Sequence, residues 1–241
     1  MNDRSAVSST SGTLPRPARR PSRRRAAPEP LLPPELAAAG PRRKILQAAL
    51  RLFAAKGFHG SSIREIVQQV EMQGSAVYAH FASKEHVLAE LARAGHETHM
   101  QALQAALLES GNDPGDQLRG YVHANALFHI QYPHIAKVVN AEMSALSPEL
   151  LAPALALRTQ SAQLLFQILE RGARSGRFAL VYSGVDPKMA ARALYATAGA
   201  LGAMALRLPY WFPTDDSFDP EELAQHHVDL ALRIVGAKEL A

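Results

Sequence analysis

Residues 42–67 read RRKILQAALRLFAAKGFHGSSIREIV, and residues 74–88 continue GSAVYAHFASKEHVL. In the first run Ile45, Ala48, Ala49, Leu52 and Phe53 recur at helical spacing, and Gly57 is the stop. FHGSS is a loop. Ser62 and Glu65 have the spacing of a capping box, in which each side chain bonds the other residue's backbone N–H. They open a short helix whose Ile63, Ile66, Val67 and Val70 form one apolar stripe. A brief turn at Glu71 and Met72 leads to a second short helix over 73–79. Ser83 then caps a long helix that runs through Leu88, Leu91 and Leu103 to about Leu108. Three compact helices with a tight turn between the second and third predict a helix-turn-helix unit.

Outward from this unit, charge and texture change in both directions. Residues 1–25 hold seven Arg and one Asp, and residues 42–84 hold seven basic and two acidic residues, whereas twelve basic and seventeen acidic residues follow from Glu85 on. The net charge of +4 is therefore an excess of cations in the N-terminal third, the footprint of one end that faces a polyanion. Residues 1–40 are rich in Ser, Pro and Arg without apolar periodicity, which predicts a disordered arm. After SGNDPG the chain reads helical to its end, with prolines at the starts. Helices are expected over 115–131, 134–145, 148–175, 187–208 and 220–235, with Ser147, Asp186 and Asp219 as caps before prolines. The fold class is all-α: a helix-turn-helix domain over 41–86 and a larger helical domain over 87–241.

Composition limits the function classes. At 47% hydrophobic and 20% charged the chain is an ordinary globular one. It has no cysteine, which removes thiolate metal sites and disulfides. The N-terminus lacks an apolar core before a cleavage site, and the longest uncharged run, from Arg192 to Arg207, is too short to span a bilayer. A cytoplasmic protein with no membrane partner is expected. The ten histidines lack metal-ligand spacing, His96 with His99 and His226 with His227 included, so no metal and no cofactor are expected. No GxSxG elbow, P-loop or GxGxxG occurs, which argues against an enzyme.

Residues 42–90 resemble the DNA-binding domain of TetR-family transcriptional regulators. Gly57-Phe58, Ser61-Ser62-Ile63, Ile66, Tyr78, His80-Phe81 and Ser83-Lys84-Glu85 fall in the order of the family motif. The resemblance implies a DNA-binding set of Arg42, Arg43, Ser62, Gln73, Gly74, Ser75, Tyr78, His80 and Lys84. The chemistry agrees: Gly74, Ser75, Ala76 and Ala79 give a helix that can approach the duplex closely, and Tyr78 and His80 can donate to phosphates. Ser62 offers a second phosphate clamp, Lys84 adds a cation at a helix start, and Phe81 packs behind. Gln73 suits adenine, and Ser75 either base type. Glu71 stands where the family usually carries Gly, and Gln73-Gly74-Ser75 departs from the usual start of the recognition helix.

The resemblance also implies a homodimer on a palindromic operator, joined through the last two helices, with an effector site in the C-terminal domain. EMSALSPELL, GARSGRF and the Trp-Phe-Pro turn resemble the branch that senses acyl-CoA and related thioesters. An apolar slot for the acyl group is expected from Phe128, Tyr132, Met143, Phe166 and Met204, with Trp211 nearby. Arg158, Arg171, Arg174 and Arg207 are the cations expected for CoA phosphates. Two other readings are a helical thioester-binding enzyme and an architectural DNA-binding protein. A solid C-terminal core would favour the last; an interior cavity would favour a sensor.

Overall fold

Gly57 closes the first helix with φ at 75°, a left-handed value that strains any residue with a side chain. That helix, α1 (Pro41–Lys56), starts on a proline whose missing N–H is lost cheaply at a helix start. The computed structural model describes residues 31–33, 36, 40–70, 72, 77–180, 186–211 and 219–238. Expectations for the arm over 1–30, for Glu71, for Gln73, Gly74, Ser75 and Ala76, and for the turn after Trp211 lie outside the described residues.

The reciprocal bonds of the capping box open α2 (Ile63–Val70): Glu65 N–H donates to Ser62 Oγ at 3.3 Å, and Ser62 N–H to Glu65 Oε2 at 2.8 Å. Ser83 Oγ accepts from His86 N–H and starts α3 (Lys84–Glu109). Next come α4 (Pro114–Gln131), α5 (Pro133–Glu142) with a 3-10 turn over Met143–Ala145, and α6 (Pro148–Arg174). The chain ends with α7 (Pro187–Leu206), α8 (Leu208–Trp211) and α9 (Pro220–Ile234). All but α2, α3 and α8 begin on proline. Asp113 caps α4 and Asp219 caps α9. Ser147 and Asp186 make no side-chain cap; the Ser147 N–H is instead held by Glu85 Oε1 at 2.7 Å. The helix expected over 187–208 breaks at Arg207, before Pro209, and the one expected over 134–145 tightens after Glu142. Among the described residues the β content is one isolated bridge, Phe178 with Ala237.

The two larger of three cores among the described residues divide the molecule across its length rather than at residue 86. The first joins Ile45, Leu50 and Phe53 of α1, Ile66, Val77, Phe81 and the first turns of α3 to Ile135, Val138, Met143, Leu146 and Ala154. The second joins Leu103, Leu118, Leu165 and Leu169 to Leu201 of α7 and Val228 of α9. The last helix packs mainly along α4 and only marginally on α7. GARSGRF belongs to this second core: a Cβ on Gly172 would stand 2.0 Å from the Phe178 ring, and Gly176 turns the chain at φ 69°. The stretch Pro187–Trp211 is by length and composition apolar enough to cross a membrane, yet it packs on α6 and α4 and supplies the second core. Of α7 only Ala193, Leu201 and Ala205 are buried, so one apolar face remains outside.

Candidate DNA interface and effector cavity

At the N-terminal end the cations expected on phosphates serve the protein itself. The Lys84 ammonium donates to the carbonyls of Phe58 and Ser61 at 2.6 and 2.7 Å and sits 4.1 Å from the centre of the Phe58 ring. It ties the start of α3 to the α1–α2 loop, and two of its three N–H groups are engaged. Arg42 donates to the carbonyl of His80 at 3.0 Å, forks onto the Glu90 carboxylate and covers the Phe81 ring at 4.4 Å. It clamps the end of the 77–80 turn between α1 and α3. Arg43 donates to the Leu36 carbonyl at 3.1 Å. Ser62 is exposed and engaged with Glu65, whose carboxyl Lys56 and Ser62 together hold below its usual range. Tyr78 stands out at 55% exposure, His80 is half-buried, and Phe81 is buried. Lys44 and Arg64 are exposed as well, on α1 and α2.

A cavity of about 610 Å³ opens among α3, α4, α5, α6 and α7. Its apolar wall is Phe128, Ile135, Ala136, Val139, Leu165, Phe166 and Leu206. The small residues Ala198, Gly199, Gly202 and Ala203 let α7 line it closely. Exposed Arg158, Thr159 and Gln163 of α6 mark its open side, opposite Tyr195, whose ring lies 4.7 Å from that of Phe166. Gly95 faces Ile135 where α3 meets α5; a Cβ there would come within 2.7 Å of Ile135 Cγ2.

One wall of the cavity is polar. His99 Nε2 is 3.0 Å from Asn125 Oδ1, and His129 Nδ1 is 2.8 Å from the Asn125 carbonyl. The His99 and His129 rings meet edge to face, 5.7 Å apart. His96, one turn earlier on α3, has a buried Nε2 with no partner. Burial pushes His96 down to about 4, helped by the positive charge of Arg158, and pushes His129 down to about 4 and His99 down to about 3. All three rings are neutral at pH 7. Tyr121 donates to the Ser161 carbonyl at 3.0 Å beside them, and burial pushes its hydroxyl up.

Residues 45–91 match the profile of bacterial regulatory proteins of the tetR family. Residues 111–235, more than half of the chain, match the tetracyclin repressor-like C-terminal domain. The chain belongs to the TetR family of transcriptional regulators. It is 26% identical over 204 residues to the HTH-type transcriptional repressor KstR2 of Rhodococcus jostii, covering 80% of this chain and 90% of that protein. A shorter match, 33% over 75 residues, spans 31% of this chain and 38% of the uncharacterized HTH-type regulator YdgC of Bacillus subtilis. A tetR-family regulatory protein from Rhodococcus RHA1 superposes with a TM-score of 0.71 at 31% identity, covering 81% of this chain and 97% of that one. AibR, solved with isovaleryl coenzyme A and operator DNA, superposes at 0.67 with 20% identity, over 81% and 98% of the two chains, and so shares the fold.

As a TetR-family regulator the chain is a DNA-binding protein of transcription, not an enzyme. Of the residues expected at its effector site, the cavity gathers Phe128, Arg158 and Phe166. Seven stand elsewhere. Tyr132 packs against the first core with its ring tilted against Phe128, and Met143 is buried in that core. Met204 packs into the second core. Arg171 donates to Gln117, and Arg174 pairs with Glu170 at 2.8 Å. Arg207 lies over Tyr210, beyond the helix break, and Trp211 is 54% exposed. Arg171 and Arg174 lie in the last turn of α6 and Arg207 is the C-cap of α7, places where positive charge is common for reasons unrelated to a ligand. The sequence reading missed His96, His99, Asn125 and His129. The available signal was that His96 and His99 share one face of α3, and Asn125 and His129 one face of α4.

Proposed function

We propose that this regulator represses transcription as a homodimer on a palindromic operator and is released when a small effector fills the cavity. The class of effector that fits is a CoA thioester of a catabolic pathway. The cavity carries this reading, because an architectural protein has no use for 610 Å³ of open space in its C-terminal half. Its volume suits an acyl group, with Arg158 at the open side for a phosphate. AibR's complex with isovaleryl coenzyme A and operator DNA supports the class, and KstR2's description as a repressor supports the sign. A regulator of bacterial transcription works in the cytoplasm, with the DNA.

The geometry supplies a route for release. Ile135, Ala136, Val139 and Asn140 of α5 face the cavity, while Ile135, Val138 and Val139 also enter the core shared with α1. A Cβ on Gly57 would stand 3.2 Å from Glu142 Oε1, so the end of α5 also touches the α1–α2 loop. A ligand that pushes α5 therefore pushes the base of the DNA-binding helices. Release requires that it bind the DNA-incompetent arrangement more tightly, since equal affinity shifts nothing. Half-sites lie about one helical turn apart, so a small change in spacing between two subunits suffices.

The test is a thermal-shift and operator-release panel of aliphatic and aromatic CoA thioesters beside their free acids. Thioesters are expected to raise the melting temperature and release DNA, and free acids to do much less. Action by free acids alone would assign the cavity to a hydrophobic effector without phosphates. The dimer is tested on the outer face of α7. Leu201 is buried in its own subunit and Ala198 lines the cavity, so neither reports on it. Ala196→Glu and Ala200→Glu, at exposed positions, are expected to give monomers in sedimentation runs. Intact dimers from both would move the interface to α9 or elsewhere.

A further inference from the structure

The polar wall of the cavity has a direction. The Asn125 carbonyl can only accept, so His129 donates from Nδ1, and Nε2 of the neutral ring is left with a lone pair. Where the Asn125 amide oxygen accepts as well, His99 donates from Nε2 and leaves a lone pair at Nδ1. This wall therefore offers acceptors. Among the described residues no Asp or Glu lines the cavity, and Arg158, on its exposed side, is the one Lys or Arg of that lining.

Those facts sort the ligand groups that the wall can take. An ammonium would find no carboxylate. A carboxylate or phosphate pressed against His99 and His129 would set acceptors against acceptors, while Arg158, on the exposed side, acts on His96 and not on these two rings. A plain hydrocarbon would leave the lone pairs dry. A hydroxyl donates to a ring nitrogen, carries no charge into a buried site, and has lone pairs left to accept from a ring N–H of His96. We propose that the cavity selects effectors whose apolar skeleton bears a hydroxyl group, read by His129 and His99, with the anionic end of the molecule at Arg158. This rests on the effector reading of the cavity and narrows it to hydroxylated acyl groups.

The test uses matched probes on the full-length protein. The pairs are benzoyl-CoA with 3- and 4-hydroxybenzoyl-CoA, and 2-naphthoyl-CoA with 6-hydroxy-2-naphthoyl-CoA. Each is titrated by calorimetry and read by release of a duplex selected in vitro by the protein. At least one hydroxylated member is expected to bind about tenfold or more tightly than its parent, because a site built for a hydroxyl rejects the analogue that lacks it. His129→Phe is expected to reduce that ratio to about twofold or less, and Arg158→Ala to weaken parent and hydroxylated members alike. Should His129→Phe fail to fold, His99→Phe is read in the same way. Parents that bind as tightly as every hydroxylated member overturn the hydroxyl selection and leave the effector reading standing. A preference that survives both histidine variants overturns the assignment to these rings. Binding by none of the probes overturns the thioester reading itself, and the hydroxyl selection with it.

Discussion

The start and the middle of α3 treat their polar side chains in opposite ways. At the first turn Lys84 holds two carbonyls and Glu85 holds the Ser147 N–H, and nearby Arg42 joins Glu90 to the end of the 77–80 turn. Three turns on, His96 has a buried nitrogen without a partner, and His99 and His129 keep lone pairs on a cavity. In the first region these side chains are bonded to the protein itself. The second is left incomplete, and buried polar groups without partners are scarce enough in folded proteins to mark where something else belongs. Rigidity is useful where a duplex of fixed pitch must be matched. Unmet capacity is useful where a small molecule must be told from its analogues.

Acid should break the incomplete region first, and this is the largest expected effect. His96, His99 and His129 stay neutral in the fold down to about pH 4, while in the unfolded chain they take up protons near pH 6.5. Between those values the unfolded state binds more protons, so their contribution is fully present above pH 6.5 and is lost as pH falls toward 4. The loss is on the order of a few kcal/mol for each ring. Half-buried His134, also held below its usual value by burial, adds to it. Glu65 and Glu85 titrate below their usual range and so contribute nothing to a loss between pH 6.5 and 5. A melting temperature that stays flat across pH 6.5–5 would show that these rings are solvated in solution.

Next in size is the start of α3. Lys84→Ala removes two charge-assisted hydrogen bonds and a cation-π contact from the α1–α2 loop, so operator affinity should fall about tenfold. If the role is internal positioning, the slope of affinity against salt should hardly change. A slope reduced by about one ion would restore Lys84 to the phosphate backbone. The smallest effect tests how the two regions communicate. Glu85→Ala releases the Ser147 N–H at the start of α6, the helix that carries Arg158 and Phe166 to the cavity. Effector and operator should each bind nearly as before, while the factor by which one weakens the other drops about threefold. An unchanged factor would leave α5 as the sole route.

The helix-turn-helix was legible because its signals are local. Gly57 at a positive φ, the Ser62–Glu65 box and the Ser83 cap are each decided within four residues, and each formed as read. Proline placed most later helix starts correctly for the same reason. The cavity was legible only in part, because its walls come from five helices that meet through packing. Phe128 and Phe166 were found as apolar residues in a helical domain, but so were Tyr132 and Met143, which face other neighbours. Arg174 stands four residues after Glu170, the spacing of a helical ion pair, whereas nothing in the spacing of Arg171 shows that Gln117 would take it up. The histidines were read for metal-ligand spacing, and their actual arrangement depends on the contact between α3 and α4.

The first core bears on how this protein could be rebuilt. Ile135, Val138, Met143, Leu146 and Ala154 share one core with α1 and the helix-turn-helix, so the reader of DNA is not a detachable module. A chimera cut near residue 86 would give a new sensor the task of covering Ile45, Leu50 and Phe53 with side chains selected for another surface. Transplants that also carry residues 133–154 keep their own cover and should express as soluble protein. For this architecture the exchangeable unit is discontinuous in sequence, and a swap planned along the chain would divide a single hydrophobic interior between two parents.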